Sequence, residues 1–546
     1  VTALSRPAVA VLAAVLLGGC AVSGAGTEGT AGPPVPGGTL NFAVETDTDC
    51  LDPQQSPVDV SSLLGRPLLD SLVALDSHGK VHPWLAGKWS ISPDGLTYTF
   101  DLREDVTFSN GEPFDAAAVK ANFDHVVAPR TRSRLAAASL GAYRDSTVLG
   151  PHRVAIRLAK PNSAFLTAVA AASLGMEAPA TLTGDPKALC RKLIGTGPFV
   201  SAEGYVPQKG IEYTRRADYR WAPEFAAHQG PAYLDGIKVT VVPENAARLG
   251  ALTSGQVDAI TSVPPVDVAR LRSAPGFGVQ IAEAPGGNYN YFPNTAAGPF
   301  ADVRVRRAFR AAIDWPTIVD KLYFGVFRQA KNPLSPATPG YDPTVESQFS
   351  YDPAAAARLL DEAGWTGRDA QGYRTRDGVR LTLVRPFQKA YVREQRDVLA
   401  DQIQAGARAA GIEVRNVNHD YAGFFRLIAS GTGYDLGDFS WQQASPDALR
   451  TLFDSANIPT PETGFGTNYA RYHDRTVDDA LAAALATVDP TRQAELYGQV
   501  QRRLTADAAV FPVYVYGNVV GLARKVQGLG FSPQSQPTFY DTWIAR

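Results

Sequence analysis

The chain has 546 residues, which at roughly 150 residues per domain suggests three or four domain-sized units or two large lobes. Apolar residues make up 45% and charged residues 19%, a globular composition, and the plentiful aromatics and low net charge exclude disorder as the main state. Lys plus Arg (52) nearly balance Asp plus Glu (54), so a net charge of −2 with no basic run supplies no footprint for nucleic acid.

Residues 1–20, VTALSRPAVAVLAAVLLGGC, carry one charge, Arg6, and an uncharged run from Pro7 to Gly19 that is too short to span a bilayer. A short basic start, an apolar stretch and small residues at the end predict an export signal. Its last four residues, Leu17-Gly18-Gly19-Cys20, resemble a bacterial lipobox, which predicts cleavage before Cys20 and a lipid on that cysteine. Residues 21–36 are mostly Gly, Ala, Pro, Ser and Thr, a composition that buries no core and reads as a flexible tether. Export sets the redox compartment, and Cys50 and Cys190 then remain as an even pair, either bonded or as two buried free thiols. The bonded form is the expectation.

Along the body, Leu96, Tyr98, Phe100 and Leu102 alternate with polar residues and predict a half-buried strand. Ile237, Val239 and Val241 show the same period. Asp352-Pro353 followed by AAAARLLDEAG provides a cap, a first-turn proline and a stop at Gly364. Leu399, Ile403, Ala407 and Ala410 mark one helix face, with a stop at Gly411 and a strand after it. Asp489-Pro490 starts another helix with Leu496, Val500 and Leu504 inside. Asp115 and Asp302 are further caps. Strands and helices interleave to the end, so the class is mixed α/β.

Catalytic signatures are missing from this pattern. There is no phosphate loop, no GxSxG elbow and no HExxH. His78 and His82 have ligand spacing, but Gly79 and Pro83 break the helix that spacing requires, and both are expected as exposed loop residues. No metal, cofactor or enzymatic activity is expected.

Several segments along the body form a further ordered pattern. They begin with Gly37-Gly38-Thr39-Leu40 and Leu51-Asp52-Pro53. The most specific is His82-Pro83-Trp84-Leu85-Ala86, then Trp89 and SPDGLTYTFDLREDVTFSNGEPFDAAAV (92–119). Gly195-Thr196-Gly197-Pro198-Phe199, Asp218-Tyr219-Arg220-Trp221, Leu234-Asp235-Gly236-Ile237, Phe292-Pro293-Asn294-Thr295 and YDPAAAARLLDEAGW (351–365) follow. In content and order these segments together resemble the family 5 extracellular solute-binding proteins of bacterial ABC importers, the oligopeptide-, dipeptide- and nickel-type lipoproteins. The resemblance implies a two-lobed periplasmic-binding-protein type II fold of the large, cluster C kind, with an extra subdomain in the first lobe. It places lobe I at 37–288 with an insert at about 76–187, lobe II at 289–514, and a return to lobe I at 515–546. It implies crossings near 285–292 and 512–518. It also implies a monomeric receptor that closes on a peptide or other small organic solute and delivers it to a permease with its ATPase. That receptor would be lipid-anchored on the outer face of the cytoplasmic membrane. Two other uses of the same cleft are a secreted hydrolase and a peptide-binding chaperone.

In the peptide-binding members an Asp shortly after a Trp holds the peptide's ammonium group. The matching stretch here is DFSWQQASPD (438–447), in which Trp441 and Pro446 fit but Gln442 and Gln443 stand where an acid is expected. Neutral amides cannot compensate a buried ammonium. Asp438 or Asp447 could take the role, or the acidic loop with Glu45, Asp47 and Asp49 could face the cleft. Trp441 is expected as an aromatic platform. His419 has no partner that would make a nickel site.

Overall fold

The computed structural model describes residues 32–133 and 135–545. The export signal, Cys20 and residues 21–31 of the tether lie outside the described residues. Among the described residues no helix is long and apolar enough to cross a membrane.

The first lobe is built on an eight-stranded sheet. Its parallel centre joins Thr39–Val44 to Gly236–Val241 on one side and Ala259–Ile260 on the other. Gly517–Ala523 and Phe277–Glu283 extend it antiparallel at one edge, and Gly210–Arg215 with Phe199–Val200 at the other. Leu40, Phe42, Ile237 and Val239 pack into its core together with Leu64 and Val520, because strands covered on both faces need apolar residues throughout. An insert carries a four-stranded antiparallel sheet in the order Ala86–Ile91, Thr97–Leu102, Arg153–Leu158, Tyr143–Gly150. Tyr98, Phe100 and Leu102 are buried, as their alternation predicts, against Val119, Phe123 and Val126 of the helix Ala116–Val127.

The second lobe holds the three-stranded sheet Leu436–Gln442, Gly286–Pro293, Phe511–Tyr514 and the parallel pair Thr382–Phe387 with Glu413–Asn418. The Asp435 N–H donates to the Val384 carbonyl and the Val384 N–H donates to the Asp435 carboxylate, each at 2.8 Å, and the two bonds link the pair to the sheet. The chain leaves the first-lobe sheet after Glu283 and enters the second-lobe sheet at Gly286. It leaves that sheet after Tyr514 and rejoins the first at Gly517. Gly286 has φ +100°, and a Cβ there would lie 2.4 Å from the Trp441 carbonyl oxygen, so only glycine fits this entry point.

The helix punctuation is local and direct. Asp115, Asp302, Asp352 and Asp489 each accept a hydrogen bond from a first-turn backbone N–H, at 2.8, 2.8, 2.8 and 2.9 Å. Gly364 and Gly411 follow their helices with φ +84° and +82°. Cys50 and Cys190 are disulfide-bonded, with Cα atoms 4.2 Å apart, and pin the first strand's loop to the segment after the insert.

The two histidines separate. His78 stays in an exposed turn, whereas His82 lies in the strand Val81–Pro83 with Nε2 2.9 Å from Asp76 and Nδ1 2.8 Å from Glu224. It is therefore an ion-paired strand residue and not an exposed loop one. The turn closed by the Asp76 N–H and the Lys80 carbonyl reverses the chain and brings His82 back beside Asp76. Both carboxylates hold its pKa above the usual histidine range, Asp76 first.

Candidate functional site

A cleft of about 1050 Å³ separates the lobes, lined by residues from Pro57 to Asp541 and drawn from both lobes and the insert. That volume is at the upper end for small-molecule sites, which hold roughly drug-sized ligands.

On the second lobe, strand pairing sets Trp441 opposite Gly287 and Gln442 opposite Gly286. Trp441 Nε1–H donates to Gln443 Oε1 at 3.0 Å, and Thr451 Oγ1 donates to the same oxygen at 3.2 Å. The indole is thereby held in place by the residue that replaces the expected acid. A run of rings continues the wall: Phe439 lies 6.5 Å from Trp441, and Tyr421 lies 4.8 Å from Phe425 and 6.2 Å from Tyr391.

The acids divide into those at the cleft and those away from it. Asp447 lines it but is almost wholly buried, receiving Arg450 Nε at 3.0 Å and Nη2 at 2.8 Å and the Tyr497 hydroxyl at 3.3 Å. Burial pushes its pKa up while Arg450 opposes the rise. Asp438 is not among the lining residues. It takes Arg385 Nε and Nη2 at 2.9 and 3.0 Å and the Tyr289 hydroxyl, inside the second lobe. Asp47 accepts the backbone N–H of Gln208 at 2.9 Å and Asp49 the Ser56 hydroxyl at 2.6 Å, so both shape a first-lobe loop outside the lining. Glu45 lies 3.9 Å from Arg248, with its pKa raised chiefly by burial. The structure thus brings Trp441, Gln442, Gln443 and Asp447 to the cleft and leaves Asp438, Asp47 and Asp49 elsewhere.

Residues the motif reading did not single out supply the rest. Asp59, in the first-lobe helix Asp59–Gly65, meets Arg393 of the second lobe at 3.1 Å across one lip. Arg393 holds the Asp59 carboxyl below its usual range against the opposing effect of burial. At another lip, Ser163 of the insert donates its N–H to the Leu485 carbonyl at 3.0 Å and its hydroxyl to Ala484 at 3.1 Å, and Gln493 Nε2 donates to Ser163 Oγ at 2.8 Å. Arg66 lines the first-lobe wall with its guanidinium 5.3 Å from the Trp84 ring centroid. One signal for it was present: LLGRPLLDSLVAL (63–75) is an apolar run interrupted by two charges, Arg66 and Asp70.

Two lobes joined by two crossings, with a cleft that carries a run of aromatic rings and is bridged by an ion pair and hydrogen bonds, define a receptor that encloses a small solute. The family described as bacterial extracellular solute-binding proteins, family 5 (middle) matches residues 80–457, well over half the chain, and the chain belongs to that family. The glutathione-binding protein GsiB of Escherichia coli O1:K1 / APEC is 28% identical over 512 residues, covering 91% of this chain and 93% of the relative. Heme-binding protein A of Haemophilus influenzae is 28% identical over 490 residues, covering 84% and 83%. The crystal structure of NikA from Brucella suis in complex with Fe(III)-EDTA superposes with a TM-score of 0.80 at 27% identity, covering 93% of this chain and all of that one. The fold is the mixed α/β, cluster C binding-protein fold over the body of the chain. Proteins of this family bind solutes and are not enzymes, so this chain is a solute-binding protein.

Proposed function

We propose that the chain captures a small organic solute, a peptide or a compound of similar size, by closing its two lobes about the crossings at 284–285 and 515–516. The observation that carries this reading is the cleft of about 1050 Å³ whose lips are joined by Asp59–Arg393 and by Ser163 with Ala484 and Leu485. A ligand touching both walls favours the closed state by its differential affinity for it. The closed form then docks on a membrane permease, and ATP hydrolysis by the associated subunits drives release and uptake. Lipid on Cys20 would keep the receptor at the outer face of the membrane, with the glycine-rich tether giving it reach.

The relatives' named ligands (glutathione, heme and a metal chelate) are all organic, anionic and larger than a single amino acid, which fits this cleft better than a bare metal ion does. A peptide held by its ammonium group fits less well, because Asp447 is already paired with Arg450. Native mass spectrometry of the chain, purified gently from cells grown in rich medium, tests the reading. A bound solute of a few hundred daltons, released on unfolding, is the expected result. A ladder of peptide masses would favour peptides and one discrete mass another solute. A chain that carries nothing and gains no thermal stability from any peptide, chelate or heterocycle would sink it.

A further inference from the structure

The charges lining the cleft are unequally compensated. Of its four arginines, three are carboxylate-paired: Arg393 with Asp59 at 3.1 Å, Arg450 with Asp447 at 2.8 Å, and Arg396 with Glu394 at 2.7 Å. Arg66 is not. Its Nη1 donates to the Leu69 carbonyl at 3.3 Å and the Ser71 hydroxyl at 2.9 Å, and its Nη2 to the Ala170 carbonyl at 2.8 Å. A guanidinium has five N–H donors, so two are left, and Nε–H is one of them. No carboxylate among the described residues forms a direct ion pair with it, and Asp70 acts on it only through space. The guanidinium lies over the Trp84 ring, 5.3 Å from its centroid, and the planar fork of an arginine suits a carboxylate, phosphate or sulfonate.

The acids of the lining do not offer an equivalent site for a cation. Asp59 and Asp447 are the partners just named, and Asp76 is bound to His82 at 2.9 Å. Asp70 is buried, accepting Trp221 Nε1–H at 2.9 Å and the Tyr219 hydroxyl at 3.5 Å. Burial raises its pKa to about 6 against the pull of Trp221 and Arg66. Asp541 lies 3.7 Å from His228, and burial raises its pKa as well. Each first-lobe acid thus has a partner of its own or is buried. Opposite them stands the ring wall of Trp441, Phe439 and Phe425, with no unpaired charge on it.

We infer that the solute is an amphipathic anion, with an aromatic or otherwise apolar body against the second-lobe rings and one acid group on Arg66. This rests on the receptor reading above. The ligand's charge is neutralised by a first-lobe arginine, and closure brings rings and not an acid down on its other end.

Two fluorescent probes that share one ring system separate charge from body: 1-anilinonaphthalene-8-sulfonate, an anion, and N-phenyl-1-naphthylamine, its neutral counterpart. Each is titrated into the full chain, and only fluorescence that Trp441→Ala weakens is counted. The expected result is at least tenfold tighter binding of the anion, with the ratio falling toward one in Arg66→Met. Should that variant fail to fold by circular dichroism, Arg66→Lys, which has lost the planar fork, should show a smaller drop in the same direction. Equal binding of the two probes in the unaltered chain, a ratio untouched by either variant, or no Trp441-dependent signal would overturn the inference. A co-purified solute with no acid group would overturn it too, while leaving the receptor reading intact.

Discussion

Replacing Asp59 by Asn removes one charge from the pair that crosses the cleft lip and leaves its shape unchanged. The side chains of Arg393 and Asp59 are 20% and 33% exposed, so the pair lies between two regimes. A fully exposed pair is worth roughly 0.2–1 kcal/mol, and breaking a fully buried one costs about 3–5 kcal/mol. Partial solvation places the loss at about 1–2 kcal/mol, and at about 1.4 kcal/mol per decade the expected rise in Kd is roughly 5- to 30-fold. Asp59 belongs to the first lobe and Arg393 to the second, so the contact exists only while the lobes are together. The loss should therefore fall on the dissociation rate of the solute and spare the unfolding midpoint of the empty protein. Stopped-flow release of the co-purified solute, or of whichever probe binds, measures the rate. The exchange Asp59→Arg with Arg393→Asp should recover part of it. An unchanged dissociation rate, or equal losses in Asp59→Asn and the exchanged pair, would show that the contact does not hold the lobes.

Glu177 is completely buried, and burial together with the neighbouring Asp52 carboxylate keeps its pKa well above the ordinary value. A raised folded pKa means stability is greatest below the unfolded value and falls as pH rises toward the folded one, by up to about 1.4 kcal/mol per pH unit. Glu177→Gln should flatten that slope and be the more stable form at pH 7–8, with the gap narrowing toward pH 4 in urea titrations. Cys50→Ala with Cys190→Ala opens a loop spanning 140 positions, and the chain-entropy model gives a loss of about 4–5 kcal/mol. The unfolding midpoint should fall steeply, and a variant as stable as the parent would refute the estimate. Asp447→Asn leaves the partly exposed Arg450 without its counter-charge and should cost about 1–3 kcal/mol of stability; a loss of affinity with unchanged stability would make Asp447 a ligand anchor instead.

The fold was legible wherever the signal was local. A cap such as Asp352 needs only the next three residues, and the strand at 97–102 needs only its own alternation. The runs expected to hold the crossings, 285–292 and 512–518, fall largely on the strands Gly286–Pro293, Phe511–Tyr514 and Gly517–Ala523, and the turn at Ala284–Pro285 depends on the Trp441 carbonyl approaching Gly286 from a distant strand. A family motif pointed to Trp441, Gln442 and Gln443, and all three line the cleft. The role of Asp438 was not legible, because it is decided by Arg385 on another strand, 53 positions away. Nor could composition reveal that Asp59 and Arg393 meet, since 334 positions separate them and the cleft exists only after both lobes have folded. Arg66 lay between these cases: a charge in an apolar run announces a special environment, but only the structure shows that its neighbours leave two donors open.

The small number of bridges across the lips bears on how such a receptor signals. Moving a two-state equilibrium from 1:99 to 99:1 takes about 5.5 kcal/mol of differential binding. If the Asp59–Arg393 pair contributes about 1–2 kcal/mol and the bonds at Ser163 about 0.5–1.5 kcal/mol each, the lips come near that shift only before the entropy of ordering their side chains is subtracted. They bias closure without completing it. The balance has to come from the solute, through ring contacts on the second lobe and charge neutralisation on the first. Were the lips stronger, empty protein would close and occupy the permease to no purpose. A ligand that met only the rings would bind without bridging, so lobe closure and occupancy of Arg66 should rise together as solute is added, and a probe that fills the cleft without engaging Arg66 should leave the lobes open in small-angle scattering.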